Sequence, residues 1–125
     1  SRIFNDNSET IGGTPLVKIN RITKGNIYGK LENRNPAMSV KCRIGTSMVM
    51  AAEADGSLEP GGTIVEATAG NTGLALSMVG RRLGYRVILT VPEHFSIEKQ
   101  RLMRALGGEV VLTPSAEGRA PGSDR

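Results

Sequence analysis

Two short stretches of this sequence hold residues whose types and spacing could do chemistry. In Asn35-Pro36-Ala37-Met38-Ser39-Val40-Lys41-Cys42-Arg43 a lysine falls within the first turn of a predicted helix. There the positive end of the helix dipole opposes its charge, and Arg43 adds to that opposition. Both push the amine toward its neutral, nucleophilic form, the form that carbonyl condensation requires. Composition alone is met as well by a solvated lysine beside a helix start.

The second stretch, Thr68-Ala69-Gly70-Asn71-Thr72-Gly73, puts hydroxyls, an amide and two glycines at the start of another helix. Free backbone N–H groups and the dipole favour an anion there, so a carboxylate or phosphate would fit. An Asn or Thr cap with glycines for the turn explains the same residues without a ligand. The loop lacks the G-x-G-x-x-G pattern and no G-x-x-x-x-G-K-[ST] occurs, which disfavours NAD and P-loop nucleotide chemistry. Cys42 reads as a small packed residue and His94 as a loop residue, since no motif pairs the thiol with a base.

The elements that must position these stretches are short and alternate. Leu16 to Asn20 and Ile27 to Asn33 flank the turn-prone Thr23-Lys24-Gly25-Asn26 and predict a β-hairpin. Val40 to Ala54 has apolar residues near helical spacing, with Ser39 as N-cap and Asp55-Gly56 as the stop. Thr63 to Ala67 predicts a strand, and Leu74 to Leu83, apolar around its circumference and followed by Gly84, predicts a buried helix. Arg86 to Val91, stopped by Pro92, is expected as a parallel strand covered on both faces. Ser96 caps a helix over Ile97 to Leu106, and Glu109 to Leu112 is the last strand. The order β-α-β-α-β implies an open parallel sheet whose ligands gather at the carboxyl ends of the strands, where Thr68 to Gly73 lies.

Composition narrows the classes. The chain has 125 residues, about one domain, with 38% apolar residues and Gly 16, enough for a core. Its net charge of +4 names no partner, and with no Trp, two Phe and two Tyr it lacks a base-stacking surface, so nucleic acid is disfavoured. One cysteine and one histidine can build neither an intrachain disulfide nor a zinc cluster, so no metal is expected. No stretch has the length of a membrane span and no secretory apolar segment opens the chain, which predicts a cytoplasmic protein away from the membrane.

Asn35-Pro36, Ser39-Val40-Lys41-Cys42-Arg43-Ile44-Gly45 and Glu66-Ala67-Thr68-Ala69-Gly70-Asn71-Thr72-Gly73 together resemble the cysteine synthases, or O-acetylserine sulfhydrylases, of the A type. The resemblance runs from Ile11-Gly12-Gly13-Thr14-Pro15-Leu16 through Val91-Pro92-Glu93 and Ser96-Ile97-Glu98 to Ala116-Glu117-Gly118. It implies an α/β fold of the tryptophan synthase β-like kind, pyridoxal-phosphate fold type II, of which this chain holds a partial open parallel sheet. It implies that Lys41 carries pyridoxal phosphate as a Schiff base and that Asn71 hydrogen-bonds the cofactor's phenolic oxygen. Thr68, Ala69, Gly70, Asn71 and Thr72 would then form the substrate-carboxylate loop, although the family usually has serine where this chain has Ala69. The implied reaction replaces the acetate of O-acetylserine by sulfide. A sister enzyme, such as cystathionine β-synthase or a serine dehydratase, would use the same lysine.

The family is more than twice as long. The resemblance therefore divides this chain into residues 1–34, a segment and hairpin that would pack on a further domain, the N-terminal α/β domain 35–118, and a disordered tail 119–125, with the C-terminal domain absent. The loop that cradles the cofactor phosphate belongs to the later half of the family, and Gly61-Gly62-Thr63 does not replace it because it precedes a strand. A homodimer and a complex with serine acetyltransferase are the partners implied. A non-catalytic remnant that only binds a partner is the alternative from a different class.

Overall fold

The computed structural model describes residues 1–68 and 70–114; the predicted tail lies outside them. Strands β1 (Leu16–Lys18) and β2 (Tyr28–Lys30) pair antiparallel with Val17 opposite Gly29, so the predicted hairpin forms with shorter arms, and Glu32–Arg34, read in part as its second strand, is a 3-10 helix closed by the Arg34 and Asn35 N–H groups donating to Leu31 O and Glu32 O. Helix α1 (Lys41–Ala54) follows, then β3 (Thr63–Ala67), α2 (Asn71–Arg82), β4 (Arg86–Pro92), α3 (Ile97–Ala105) and β5 (Glu109–Thr113). The last three strands form one parallel sheet in the order β3-β4-β5, with Ile64 beside Val87 and Leu89 beside Val110.

Side chains alternate along β4, and Val87, Leu89 and Val91 point to the face that carries the core, where they are almost wholly buried. Leu76 and Val79 of α2 and Met103 of α3 close over them. The opposite face corrects the expectation of a strand covered on both sides. Ile88 and Thr90 are half-buried there, and beside them Val65 is 62% and Val111 49% exposed. An apolar run reads the same in sequence whether one or two layers cover it, so only the packing of α2 and α3 on a common face distinguishes the cases.

Helix α1 packs on α2 rather than on the sheet alone, and the two approach closely at Gly45. A β-carbon added there would lie 3.0 Å from Ala75 Cβ and 3.3 Å from the Ala75 carbonyl carbon, so only glycine allows the two helices this near. Lys41 precedes Gly45 by one turn and Asn71 precedes Ala75 by one turn, about 6 Å of rise in each case. The helix contact therefore lies one turn beyond each of the two residues singled out in the sequence. Alongside, the C-terminal half of α1 and the outer edge of β3 border a groove of about 240 Å³ lined by Met48, Val49, Ala52, Leu58 and Ile64.

Candidate functional site

Lys41 is the first residue of α1 and is half-buried. The predicted cap is displaced by one position: Val40 is the N-cap residue and makes no side-chain cap, while Ser39 Oγ accepts the Lys41 N–H at 3.1 Å. Just before it, Met38 has φ 59°, a left-handed conformation unusual for a residue with a side chain, closed by its N–H donating to Asn35 O at 2.7 Å. Cys42 is fully buried and its Sγ accepts the Ala37 N–H at 3.3 Å, so the thiol packs the turn as expected of a small core residue.

Arg43 does not act on Lys41 in the way the sequence led us to expect. Its Nε and Nη2 donate to the two oxygens of Glu32 at 2.8 and 3.0 Å, so its charge is neutralised by a bidentate ion pair. Thr14 Oγ1 and Asn35 Nδ2 also donate to that carboxylate, at 2.7 and 2.9 Å. The hydrogen bond from Arg43, followed by that from Thr14, holds the Glu32 carboxyl well below its ordinary 4.5, at about 2.

The depressed Glu32 value has a consequence in acid. A group whose pKa is lower in the folded than in the unfolded chain stabilises above the unfolded value and loses that contribution as pH falls through the folded one. Stability is therefore expected to drop from about pH 4.5 to about pH 2, and Glu32→Gln, less stable at neutral pH, is expected to converge on the parent across that window. Urea midpoints measured from pH 7 to pH 2 check this; parallel curves would show that Glu32 is not the group responsible. The gap should narrow in high salt, because the Arg43 side chain is 41% exposed.

At the second stretch, α2 begins at Asn71, three residues before the predicted start. Buried Thr68 makes the difference. Its Oγ1 accepts the N–H groups of Gly70 and Gly73 at 3.2 and 3.0 Å, while Leu74 N–H donates to Gly70 O, so Asn71-Thr72-Gly73 become the first helical turn. The capping reading of the loop is thus realised by Thr68. The anion reading keeps its donors, since the Asn71 and Thr72 N–H groups have no partner among the described residues. Asn71 is exposed, Thr72 half-buried, Gly70 buried, and Ala69 lies outside the described residues.

A residue that sequence reasoning missed joins this helix start. Lys99 Nζ lies over Gly70 so closely that a β-carbon there would meet it at 2.9 Å. The ammonium adds positive charge to a helix start that already favours an anion. It comes from α3, where Ser96 Oγ caps the Lys99 N–H as predicted, and no spacing links positions 70 and 99 in the sequence. At Gly73 the space is filled by Thr68: an added β-carbon would lie 2.5 Å from Thr68 Cγ2. Gly73→Ala should therefore cost about 1–3 kcal/mol of stability and displace the Thr68 cap, read as a lower urea midpoint. An unchanged midpoint would show that the loop accommodates the methyl group.

His94 is an exposed loop residue tilted at 59° against the ring of Phe95, with ring centroids 4.7 Å apart. No group of three or more metal-ligating side chains occurs among the described residues. No described helix is long and apolar enough to cross a membrane. A half-buried lysine and an exposed asparagine thus head two helices in contact, the second of them being the helix whose start favours an anion. Gly61-Gly62, as predicted, turns into β3 rather than out of a strand into a helix.

The described residues thus form a parallel α/β layer with a lysine heading one helix and an asparagine heading the next. This chain belongs to the family of pyridoxal-phosphate dependent enzymes, whose model matches residues 8–124. It is 55% identical to cysteine synthase A of Escherichia coli (strain K12) over 94% of its own length, and spans 36% of that relative. Among solved structures it is similar to an O-ureido-L-serine synthase, with 44% identity, a TM-score of 0.89, and 97% of this chain and 39% of that one covered. It is also similar to an O-acetylserine dependent cystathionine beta-synthase from Helicobacter pylori, with 41% identity, a TM-score of 0.83, and 94% and 40% covered. The fold expected from the resemblance, a parallel sheet with helices of the kind found in this family, is borne out.

Proposed function

We propose that this chain supplies the cofactor-lysine part of a cysteine synthase, which converts O-acetylserine and sulfide to cysteine and acetate. The observation that carries the reading is the contact of α1 with α2 at Gly45 and Ala75, one turn beyond Lys41 and Asn71. Lys41 would anchor pyridoxal phosphate covalently and Asn71 would hydrogen-bond its phenolic oxygen. The residues present fit this side of the group: a half-buried amine and an exposed amide head neighbouring helices. When bound, the cofactor supplies an electron sink for charge at the substrate α-carbon.

The remaining chemistry falls to the chain. The substrate carboxylate would sit on the loop Thr68, Ala69, Gly70, Asn71 and Thr72, drawn by the free N–H groups of Asn71 and Thr72 and by the Lys99 ammonium. Thr68 Oγ1 already accepts two N–H groups, so its part toward the carboxylate is as an O–H donor while it holds the loop in shape. Lys41 Nζ, as a free amine, would take the α-proton and later return it. Acetate leaves the β-carbon and sulfide takes its place.

The domain division follows the same reading: residues 1–34 would pack on a further domain, 35–118, of which 115–118 lie outside the described residues, would form the N-terminal α/β domain, and the intact protein would be a cytoplasmic homodimer that can bind serine acetyltransferase. The names of the similar structures support a second reading, in which the same lysine serves a sister β-replacement with another nucleophile.

Borohydride reduction in the presence of pyridoxal phosphate, followed by peptide mapping, tests the assignment. The label is expected on Lys41 in preference to Lys18, Lys24, Lys30 and Lys99. A label concentrated on any of the other four would overturn it.

A further inference from the structure

Glu32 stands at the centre of the polar contacts around the start of α1, yet it touches neither Lys41 nor the loop at Thr68. Its carboxylate takes four side-chain hydrogen bonds, two from Arg43 and one each from Thr14 and Asn35. Those partners reach further. Asn35, 2% exposed, also donates to the backbone oxygen of Ser39 at 3.1 Å and accepts the Gly12 N–H at 2.9 Å. Ser39 in turn receives the Lys41 N–H on its hydroxyl and the Cys42 N–H on its backbone oxygen. Arg43 Nη2 donates to Gly12 O at 3.1 Å.

Lys41 therefore lies between two tethered points. Ser39, two residues before it, is held to Glu32 through Asn35; Arg43, two residues after it, is held to Glu32 directly. Positions 41 and 43 are about 200° apart around a helix, so the Arg43 fork fixes the rotation of α1 with Lys41 on the other side. The fork is planar and bidentate, which sets an angle as well as a distance. The left-handed turn at Met38 comes immediately before Ser39, closed back onto Asn35. By contrast the other bidentate pair, Arg86 with Glu109, joins neighbouring strands on the surface and reaches no helix start.

We propose that Glu32 is the positioning residue for Lys41: by pinning Asn35 and Arg43 it fixes the axial and rotational setting of the first turn of α1, and with it the place of the amine. The inference rests on the reading of Lys41 as the cofactor lysine. Reductive labelling with pyridoxal phosphate and borohydride tests both separately, with the label at Lys41 measured relative to exposed Lys18 and Lys24, at a temperature where circular dichroism shows each variant folded. The parent chain is expected to prefer Lys41. Glu32→Gln should lower that preference by about 10- to 100-fold, ~10²-fold being the loss that a misplacement of about 1 Å can produce. Glu109→Gln, which breaks an ion pair of the same geometry, should leave it unchanged. An undiminished preference in folded Glu32→Gln, or an equal loss in Glu109→Gln, would overturn the positioning role. Absence of any preference in the parent would instead overturn the assignment of Lys41 itself. Should Glu32→Gln not fold, Arg43→Lys keeps the charge, loses the fork, and carries the same expectation and the same overturning result.

Discussion

Fused to the part of E. coli cysteine synthase A beyond the matched segment, this chain is expected to turn over O-acetylserine and sulfide, and Lys41→Ala is expected to reduce that turnover by about 10³-fold or more. A positioned acid–base group contributes typically ~10²–10⁴-fold, and Lys41 is given two tasks, covalent anchorage and proton transfer at the α-carbon. The magnitude separates it from its neighbours. Lys99, which lies over Gly70, is assigned only attraction of the carboxylate, so Lys99→Ala should raise KM for O-acetylserine with a smaller effect on kcat. Steady-state kinetics of the fusion and both variants decide the matter. A Lys41→Ala fusion with near-parental kcat would refute the assigned role, and replacing sulfide by homocysteine in the same assay would expose the sister reaction.

The sheet and helices were legible in the sequence because each element obeys a local rule. Thr63 to Ala67 is a short β-rich run between Gly61-Gly62 and the small-residue loop, and it is a strand over the predicted residues. Ser96 caps α3 as expected, and Gly84 and Gly107 take the left-handed conformation that ends a helix. Where the reading failed, the deciding contact was not local. Helix α2 starts early because Thr68, outside the helix, reaches forward to the Gly73 N–H. Arg43 was read with its sequence neighbour Lys41, whereas its charge belongs to Glu32, 11 residues back across the turn at Asn35. Nothing in the spacing of Thr14, Glu32, Asn35 and Arg43 marks them as one cluster, since their assembly depends on the path of two irregular segments. Of the residues singled out for the site, Lys41, Thr68 and Asn71 carried a helix-start signal; Lys99 carried none, because it arrives from the next crossover.

The 125 residues by themselves are expected to give no turnover of O-acetylserine and sulfide above that of free pyridoxal phosphate, and to self-associate. Both expectations follow from what the described residues hold. A tightly bound pyridoxal phosphate needs a covalent anchor, a dianion cradle and a partner for the ring nitrogen, and the described residues offer the anchor and one anion-favouring helix start. That helix start is assigned to the substrate carboxylate, which leaves the cofactor phosphate without a second site, so the cofactor should exchange rapidly with solvent. The apolar surface is the other half of the argument. The uncovered sheet face exposes Val65 and Val111, and the hairpin side exposes Leu16 at 62%, Ile22 at 91% and Tyr28 at 52%. Patches of this kind drive association, and a net charge of +4 spread over 125 residues opposes it weakly. Light scattering should report species larger than a monomer at micromolar concentration, and dilution should reverse the effect without creating activity. A monodisperse monomer would show that the exposed faces are tolerated. Turnover on the order of 1 per second, lost in Lys41→Ala, would show that this segment alone holds the cofactor well enough for catalysis.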